Sequence, residues 1–391
     1  MSATRTAVAM SRSRSQVLEA IRQANGVTRG ELHRLIGLSR SAVADAVQGL
    51  IEARLVVEEL PPPRGKGAGA GRPAAVLRPS ADSGLVVGLD FGHSHIAAGI
   101  ADTAGTVLGE RRRALDVDHR PRDAFDAVTA LVLELLVEDG RTIDDVRTVA
   151  AGLPAPLDLR TGRPHSHPVL AGWAGLDPAA ELAARLGRPV ALANDADLGA
   201  LGELRYGAAR GLRDFVYVKV SAGLGASLIL DREVHRGANG LAGEIGHIRL
   251  SERGGLLCRC GNRGCLETVL STNVMETRFR ELASSDTDPV FPLRSCAADP
   301  EIATYLREAG RTLGRALADL CNWVNPQAVV VGGVFGTAGQ AAAHAVREGM
   351  LRFAAPIEGA GVEVHTGELG LRAELMGAVA AAGRKARANT G

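Results

Sequence analysis

The stretch LLCRCGNRGCLE, residues 256–267, constrains the fold of this chain more than any other. It sets Cys258, Cys260 and Cys265 within eight residues, between glycines that let a loop double back. Only five cysteines occur in 391 residues, which fits a reduced compartment and a metal loop better than a disulfide framework. Zinc held by protein alone takes four ligands in a tetrahedron, so one more is required. The upstream segment RGANGLAGEIGHIRL supplies it: His247 stands eleven residues before Cys258, room for a strand to end and a loop to return. His247, Cys258, Cys260 and Cys265 would fill all four positions. The expected metal is therefore one structural zinc per chain, and it ties the loop to the segment bearing Glu244.

A chain of this length has room for two or three domains. Hydrophobic residues at 46% supply real cores, and aromatics at 3% predict aliphatic packing. The longest apolar runs, such as Ala328–Val334, are too short to span a bilayer. No apolar core with a cleavage site follows the start, so no signal peptide is read and a cytoplasmic location is expected. Charge is uneven: residues 1–80 hold 12 Arg/Lys against 6 Asp/Glu, and the remainder holds 33 against 38. A basic head on an acidic body suits a polyanionic partner for the head.

The head reads as three helices and a β-hairpin. Gln16–Ala24 carries apolar residues at 17, 18, 20 and 21. Thr28 can cap the next helix, with Glu31 at the capping-box spacing, and that helix stops at Gly37. Ser39 can cap a third, with Val43, Val47, Leu50 and Ile51 on one face. Helix, Gly-containing turn and capped helix is the helix-turn-helix order, whose last helix enters the major groove of DNA. Arg40, Ser41, Asp45 and Gln48 are expected to be exposed. Thr28, Ser39, Arg40, Ser41 and Gln48 are the candidate DNA-contacting residues of the helices. Strands at Leu55–Leu60 and Ala74–Leu77 would bracket PPPRGKGAGAGRP, a wing whose tip offers Arg64, Lys66 and Arg72 to phosphates or a minor groove. A plain Gly/Pro linker is the alternative for that stretch, and protein contacts are the alternative for the trihelical head.

The body opens as strand, turn, strand, turn, strand, with Asp90-x-Gly92-x-Ser94 in the first turn, where backbone N–H groups can approach an anion. A helix at Arg122–Glu138, a strand at Thr148–Leu153, a helix at Asp177–Leu186, the strand PVALAND and a helix from Ala196 follow. Such alternation predicts an α/β body with sheets covered on both sides. Asn194-Asp195 ends a strand, where ligands of α/β sheets gather. Glu244 and Glu267 flank the cysteine loop. Carboxylates and an amide converging on one pocket can bind vicinal hydroxyls, as of a sugar.

The segments LDFGHSH, ALANDADLGALGE, VSAGLGASLIL, RGANGLAGEIGH, CRCGNRGCLE and NPQAVVVGGVFG resemble the ROK family, transcriptional repressors and sugar kinases that share an actin-like fold. The resemblance covers nearly the whole chain, and the cysteine loop after EIGH is its most diagnostic mark. The head marks the repressor branch, because the kinases lack it. The fold so implied is an N-terminal winged helix-turn-helix (α+β), then an α/β two-lobed actin-like (ribonuclease H-like) body with a structural zinc loop. Residues 1–80 would form the head and 81–195 a first lobe, completed by a C-terminal helix at 371–388. Residues 196–370 would form a second lobe. By resemblance, Asn194, Asp195, Glu244, His247 and Glu267 line a sugar pocket, with His247 also holding zinc. The implied partners are a double-stranded operator, a sugar or sugar-phosphate effector, and a second copy of the chain, with a tetramer left open.

The kinase pattern is broken in three places. Gly92-His93-Ser94 stands where the kinases carry Gly-Gly-Thr, and Ser221-Ala222-Gly223 where they carry Gly-Thr-Gly. Val169-Leu170-Ala171-Gly172-Trp173 lacks the amide usual before that tryptophan. Asp90, Gly92, Ser94, Gly223, Gly225, Gly332 and Gly333 are thus read as vestigial nucleotide-phosphate turns. Phosphoryl transfer depends on positioning and charge stabilisation, which damaged turns undermine. No catalytic residue is expected. Asp195, the general base of a kinase alternative, would serve as a hydroxyl ligand. The expected function is a sugar-responsive repressor of carbohydrate-utilisation genes, and the alternative is an ATP-dependent sugar kinase with a DNA-binding head.

Overall fold

A computed structural model describes residues 12–24, 26–52, 56–59, 75–80, 84–165, 168–251, 254–282, 300–353 and 361–389. The head comprises α1 (Arg12–Ala24), β1 (Val27–Thr28), α2 (Arg29–Ile36), α3 (Arg40–Glu52), β2 (Val56–Glu59) and β3 (Val76–Pro79). Its core is aliphatic: Val17, Ile21, Leu32, Val43, Val47, Leu50, Val56 and Leu77 are buried together. α2 and α3 begin where the caps predict, whereas α1 starts at Arg12, four residues before the apolar run at Gln16. Thr28 and Glu31 close a capping box on α2, Gly37 ends that helix in the left-handed region at φ 67°, and the Ala42 N–H donates to Ser39 Oγ at 3.2 Å.

β2 and β3 pair antiparallel, as a wing requires, but the returning strand begins at Val76, two residues later than its apolar run predicts. The shift has a cause. β3 also pairs with β1 through Val27↔Leu77, and that register buries Leu77 under the helices. The candidate tip residues Arg64, Lys66 and Arg72, and the fifth cysteine, Cys296, lie outside the described residues.

The body holds two five-stranded sheets. The first contains β4 (Leu85–Phe91), β5 (His95–Asp102) and β6 (Val107–Ala114) as an antiparallel meander. After α4 (Pro121–Glu138) comes β7 (Val146–Leu153), and after α5 (Pro178–Leu186) comes β8 (Val190–Asn194), which leads into α6 (Asp195–Tyr206). The second sheet repeats the plan with β9 (Phe215–Val220), β10 (Leu224–Leu230) and β11 (Glu233–His235). α7 (Glu267–Leu270), α8 (Thr272–Leu282) and α9 (Pro300–Val324) follow. Then come β12 (Ala328–Gly332), α10 (Gly333–Gly336), α11 (Gln340–Phe353), β13 (Glu363–Thr366) and α12 (Ala373–Asn389), the last preceded by a 3-10 turn over Gly370–Arg372. The orders β6-β5-β4-β7-β8 and β11-β10-β9-β12-β13 are the same topology twice.

α4 and α5 cover the outer face of the first sheet, and α9 and α11 that of the second. Packing is mostly aliphatic, with an aromatic cluster beneath the first turn, where Phe91, Phe125 and Trp173 meet edge-to-face at 4.9–5.9 Å between centroids. α12 lies on the inner face of the first sheet and α6 on that of the second. The two helices cross at backbone contact: a Cβ on Gly377 would fall 1.7 Å from the Leu198 carbonyl oxygen, and one on Gly202 2.2 Å from that of Ala373. Among the described residues, no helix is long and apolar enough to cross a membrane.

Candidate functional site

The cysteine loop folds back on itself through Leu257↔Arg263, and Arg249↔Cys265 joins it to the segment after His247. Gly261 and Gly264 sit at φ 87° and 74°, which a side chain would strain. His247 ends a 3-10 turn, Ile245–His247. One ligand atom each of His247, Cys258, Cys260 and Cys265 lies within 4.8 Å of the others. Two edges are informative. Cys260 Sγ and Cys265 Sγ are 3.7 Å apart, and Cys258 Sγ and His247 Nδ1 3.6 Å. Usual zinc bond lengths in a tetrahedron give edges of about 3.8 Å between thiolates and about 3.6 Å between thiolate and imidazole. The donor set and its spacing are therefore consistent with zinc.

His247 Nε2 faces the other way, 3.7 Å from Glu244 Oε2. Glu244 opens onto a cleft of about 290 Å³ between the two sheets. Lining this cleft are Asn194 and Asp195 from the end of β8, Ser94 from the first turn, and Glu244, His247 and Glu267 from the side of the cysteine loop. The five candidate sugar-pocket residues thus share one cavity. Burial, and next the Asp195 and Glu267 carboxylates, push the Glu244 carboxyl above its ordinary range.

These side chains are held by bonds of different kinds. Asn194 caps α6, its Oδ1 accepting from the N–H groups of Ala196 at 2.9 Å and Asp197 at 3.3 Å. Asp195 Oδ1 accepts from the Ala196 N–H at 2.7 Å, and Oδ2 from Lys219 Nζ at 2.8 Å. Glu267 takes both arms of the Arg259 guanidinium, with Nε at 2.7 Å, and accepts from the Leu224 N–H at 3.1 Å.

The turns read as vestigial phosphate sites meet the same cleft through Gly92, Ser94, Gly223, Gly225 and Gly333, whereas Gly332 packs beneath it against Tyr217. Their N–H groups are partly spent. Gly92 donates to the His95 carbonyl at 3.0 Å, and Ser221 to that of Gly223 at 2.9 Å. The His93 imidazole turns to Asp118 at 2.9 Å, and His95 Nε2 lies 2.9 Å from Asp90 Oδ2. Gly333 is required by close approach, since a Cβ there would meet the Val220 carbonyl oxygen at 2.4 Å.

Lys219, Glu374, Arg259 and His95 belong to the site and are absent from the sequence reading. Lys219 did leave a signal, a lone cation inside the apolar strand FVYVKV. Burial opposes its charge, but Asp195, then Glu374 and Asp90, raise its pKa well above the ordinary lysine value. In the head, Ser39, Arg40, Ser41, Asp45 and Gln48 are exposed on α3 or at its start. Gln48 bonds along the helix to Glu52 at 3.1 Å, and the Thr28 hydroxyl is engaged with Glu31.

Comparison with known proteins follows the same division of the chain. The ROK family profile matches residues 86–385, and that of the MarR family residues 10–67. The xylose repressor of Caldicellulosiruptor bescii is 25% identical over 378 residues, spanning 93% of each chain. A crystal structure of a ROK family transcriptional regulator, a homologue of the E. coli MLC protein, superposes over 96% of both chains with a TM-score of 0.74 at 23% identity. A ROK family glucokinase from Streptomyces griseus, in complex with glucose and AMPPNP, covers 77% of this chain and 100% of its own, with a TM-score of 0.67 and 30% identity.

Proposed function

The chain belongs to the ROK family and carries a MarR-type head before the family's body, and from these premises we propose that it is a sugar-responsive transcriptional repressor of carbohydrate-utilisation genes. The observation that carries this is coverage. The match to the xylose repressor spans 93% of this chain and so includes the head, whereas the whole of the glucokinase covers only 77% of it. On this reading residues 1–80 are the DNA-binding head, 81–195 with the C-terminal helix the first lobe, and 196–370 the second.

Two heads related by two-fold symmetry read a pseudo-palindromic operator. Ser39, Arg40, Ser41 and Gln48 lie in the major groove, and Arg64, Lys66 and Arg72 on the flanking backbone or minor groove. A sugar in the cleft bonds to Asn194, Asp195, Glu244, His247 and Glu267 and closes the lobes, which changes the spacing of the heads. For induction the sugar must favour one state by about 1–3 kcal/mol. A structural zinc on His247, Cys258, Cys260 and Cys265 fixes the wall that carries Glu244.

The test is selection of genomic fragments by the purified protein at physiological salt, repeated with a sugar panel that begins with xylose and glucose. A few inverted-repeat sites whose occupancy changes with one sugar are expected. Salt-sensitive binding without sequence preference would sink the reading. A second reading, a sugar kinase with a DNA-binding head, is favoured by the likeness to the glucokinase and by the retained Asp195. ATP-dependent phosphorylation of any hexose in the panel would move the assignment there.

A further inference from the structure

Lys219 occupies a position that the repressor reading does not explain. It projects from β9 into the cleft, between Val218 and Val220, which are buried in the sheet's outer core. Its Nζ lies 2.8 Å from Asp195 Oδ2 and 3.3 Å from Glu374 Oε1, and the three side chains are only 6–14% exposed. Asp90 is the third carboxylate around it. Its Oδ2 is taken by His95, and its buried Oδ1 has no hydrogen-bond partner.

Phosphoryl transfer to a sugar needs two things here: a metal ion to neutralise the phosphates, and a carboxylate with a free oxygen to take the hydroxyl proton. Lys219 opposes both. Its ammonium stands among the carboxylates that would attract a divalent ion, and like charges at such range repel strongly in a site shielded from water. It also claims the Asp195 oxygen that the Ala196 N–H leaves open.

We propose that Lys219 is a resident counter-cation. It keeps metal–nucleotide out of the cleft and holds Asp195 as a fixed acceptor for a sugar hydroxyl, so the body senses its sugar without nucleotide. This rests on the repressor reading above for the sugar alone. The exclusion of metal is a property of the side chains and is tested separately.

The experiment uses the full-length, zinc-loaded protein. Mn²⁺, alone and with ATP, is titrated by electron paramagnetic resonance into wild type, Lys219→Met, Lys219→Arg and the double variant Lys219→Met/Asp195→Asn. Lys219→Met should bind Mn²⁺ more tightly than wild type by about ten-fold or more, since three carboxylates are left without their cation. The double variant should lose that gain, and Lys219→Arg should behave as wild type. Wild type that binds Mn²⁺·ATP as tightly as Lys219→Met would overturn the proposal, as would a folded Lys219→Met that gains no site. If Lys219→Met does not fold, Lys219→Gln takes its place: a gain in Mn²⁺ affinity over wild type upholds the proposal and no gain overturns it. Operator release by the sugar panel, with and without ATP, separates the two readings. No response to any sugar, with the Mn²⁺ contrast intact, upholds the counter-cation and removes the sugar reading alone. A release that requires ATP overturns the counter-cation and leaves the sugar reading standing.

Discussion

His247 has two ring nitrogens, and each faces a different part of the molecule. Nδ1 lies in the cysteine cluster and Nε2 points at Glu244. A metal-bound imidazole whose second nitrogen meets a carboxylate has its ring orientation fixed from both sides. Metal and pocket should therefore be separable in one direction only. Cys258→Ser or Cys260→Ser should lose both zinc and the sugar response, because the wall bearing Glu244 is released. Glu244→Ala should keep its zinc and its operator binding yet bind sugar about 10- to 150-fold more weakly, the worth of a hydrogen bond to a charged group. Metal analysis beside sugar titration of operator occupancy reads both. Full induction in a metal-free cysteine variant would break the link between loop and pocket. The sequence made this cluster legible because its ligands are soft, rare residues close together. Glu203 shows the opposite case. It resembles any surface glutamate of a helix, yet it is fully buried and accepts from the N–H groups of Ala208, Glu368 and Leu369, at 2.8, 3.1 and 3.0 Å. Backbone partners more than 150 residues away leave no trace in composition or spacing.

Helix starts are local, and the head shows how far local signals reach. The Thr28–Glu31 box is reciprocal: the Thr28 N–H and hydroxyl both donate to Glu31 Oε2 at 2.8 Å, and the Glu31 N–H donates to Thr28 Oγ1 at 3.3 Å. Thr28→Ala removes one half of it and should cost α2 about 1 kcal/mol. Hydrogen exchange across residues 26–36 measures this, and the amides of the first turn should exchange about five-fold faster. Unchanged protection there would mean that packing on Leu32, not the cap, anchors the helix. The same element explains the one strand of the head that periodicity missed. Val27–Thr28 is two residues long, too short to show any period, and it exists only because Leu77 returns beside it. That return also moves β3 to Val76–Pro79. Caps, stops and apolar faces were readable along the chain, as was the β2–β3 hairpin; the pairing of β1 with β3 was not. In the body the meander of β4 to β6 was legible from its turns. The identity of topology between the two sheets was not, since LVVGLDF and FVYVKV share burial rather than residues.

At the scale of the whole molecule, one helix joins the ligand cleft to the packing between the sheets. α6 begins at Asp195 in the cleft and runs on through Leu198 and Gly202, where it crosses α12. α12 in turn lies so close to β4 that a Cβ on Gly88 would sit 2.6 Å from the Val379 nitrogen. On the proposed function, a sugar that moves the first turn of α6 would press on this close crossing, and lobe rotation would follow. Gly377→Ala tests that tightness. In a helix interior, alanine is normally favoured over glycine by about 0.5–1 kcal/mol. Here its Cβ would meet the Leu198 carbonyl oxygen, a backbone atom that cannot rotate away. Overpacking of this kind costs about 1–3 kcal/mol, so the clash should outweigh the propensity and the body should be destabilised. Both tryptophans, Trp173 and Trp323, belong to the body and none to the head, so the midpoint of thermal unfolding followed by tryptophan fluorescence reads the body alone. That midpoint should fall by several degrees. The sugar response should weaken with it, because helices forced apart no longer carry movement of Asp195 to α12. A midpoint at or above that of wild type would show that the crossing has slack, and lobe rotation would then need another route from the cleft.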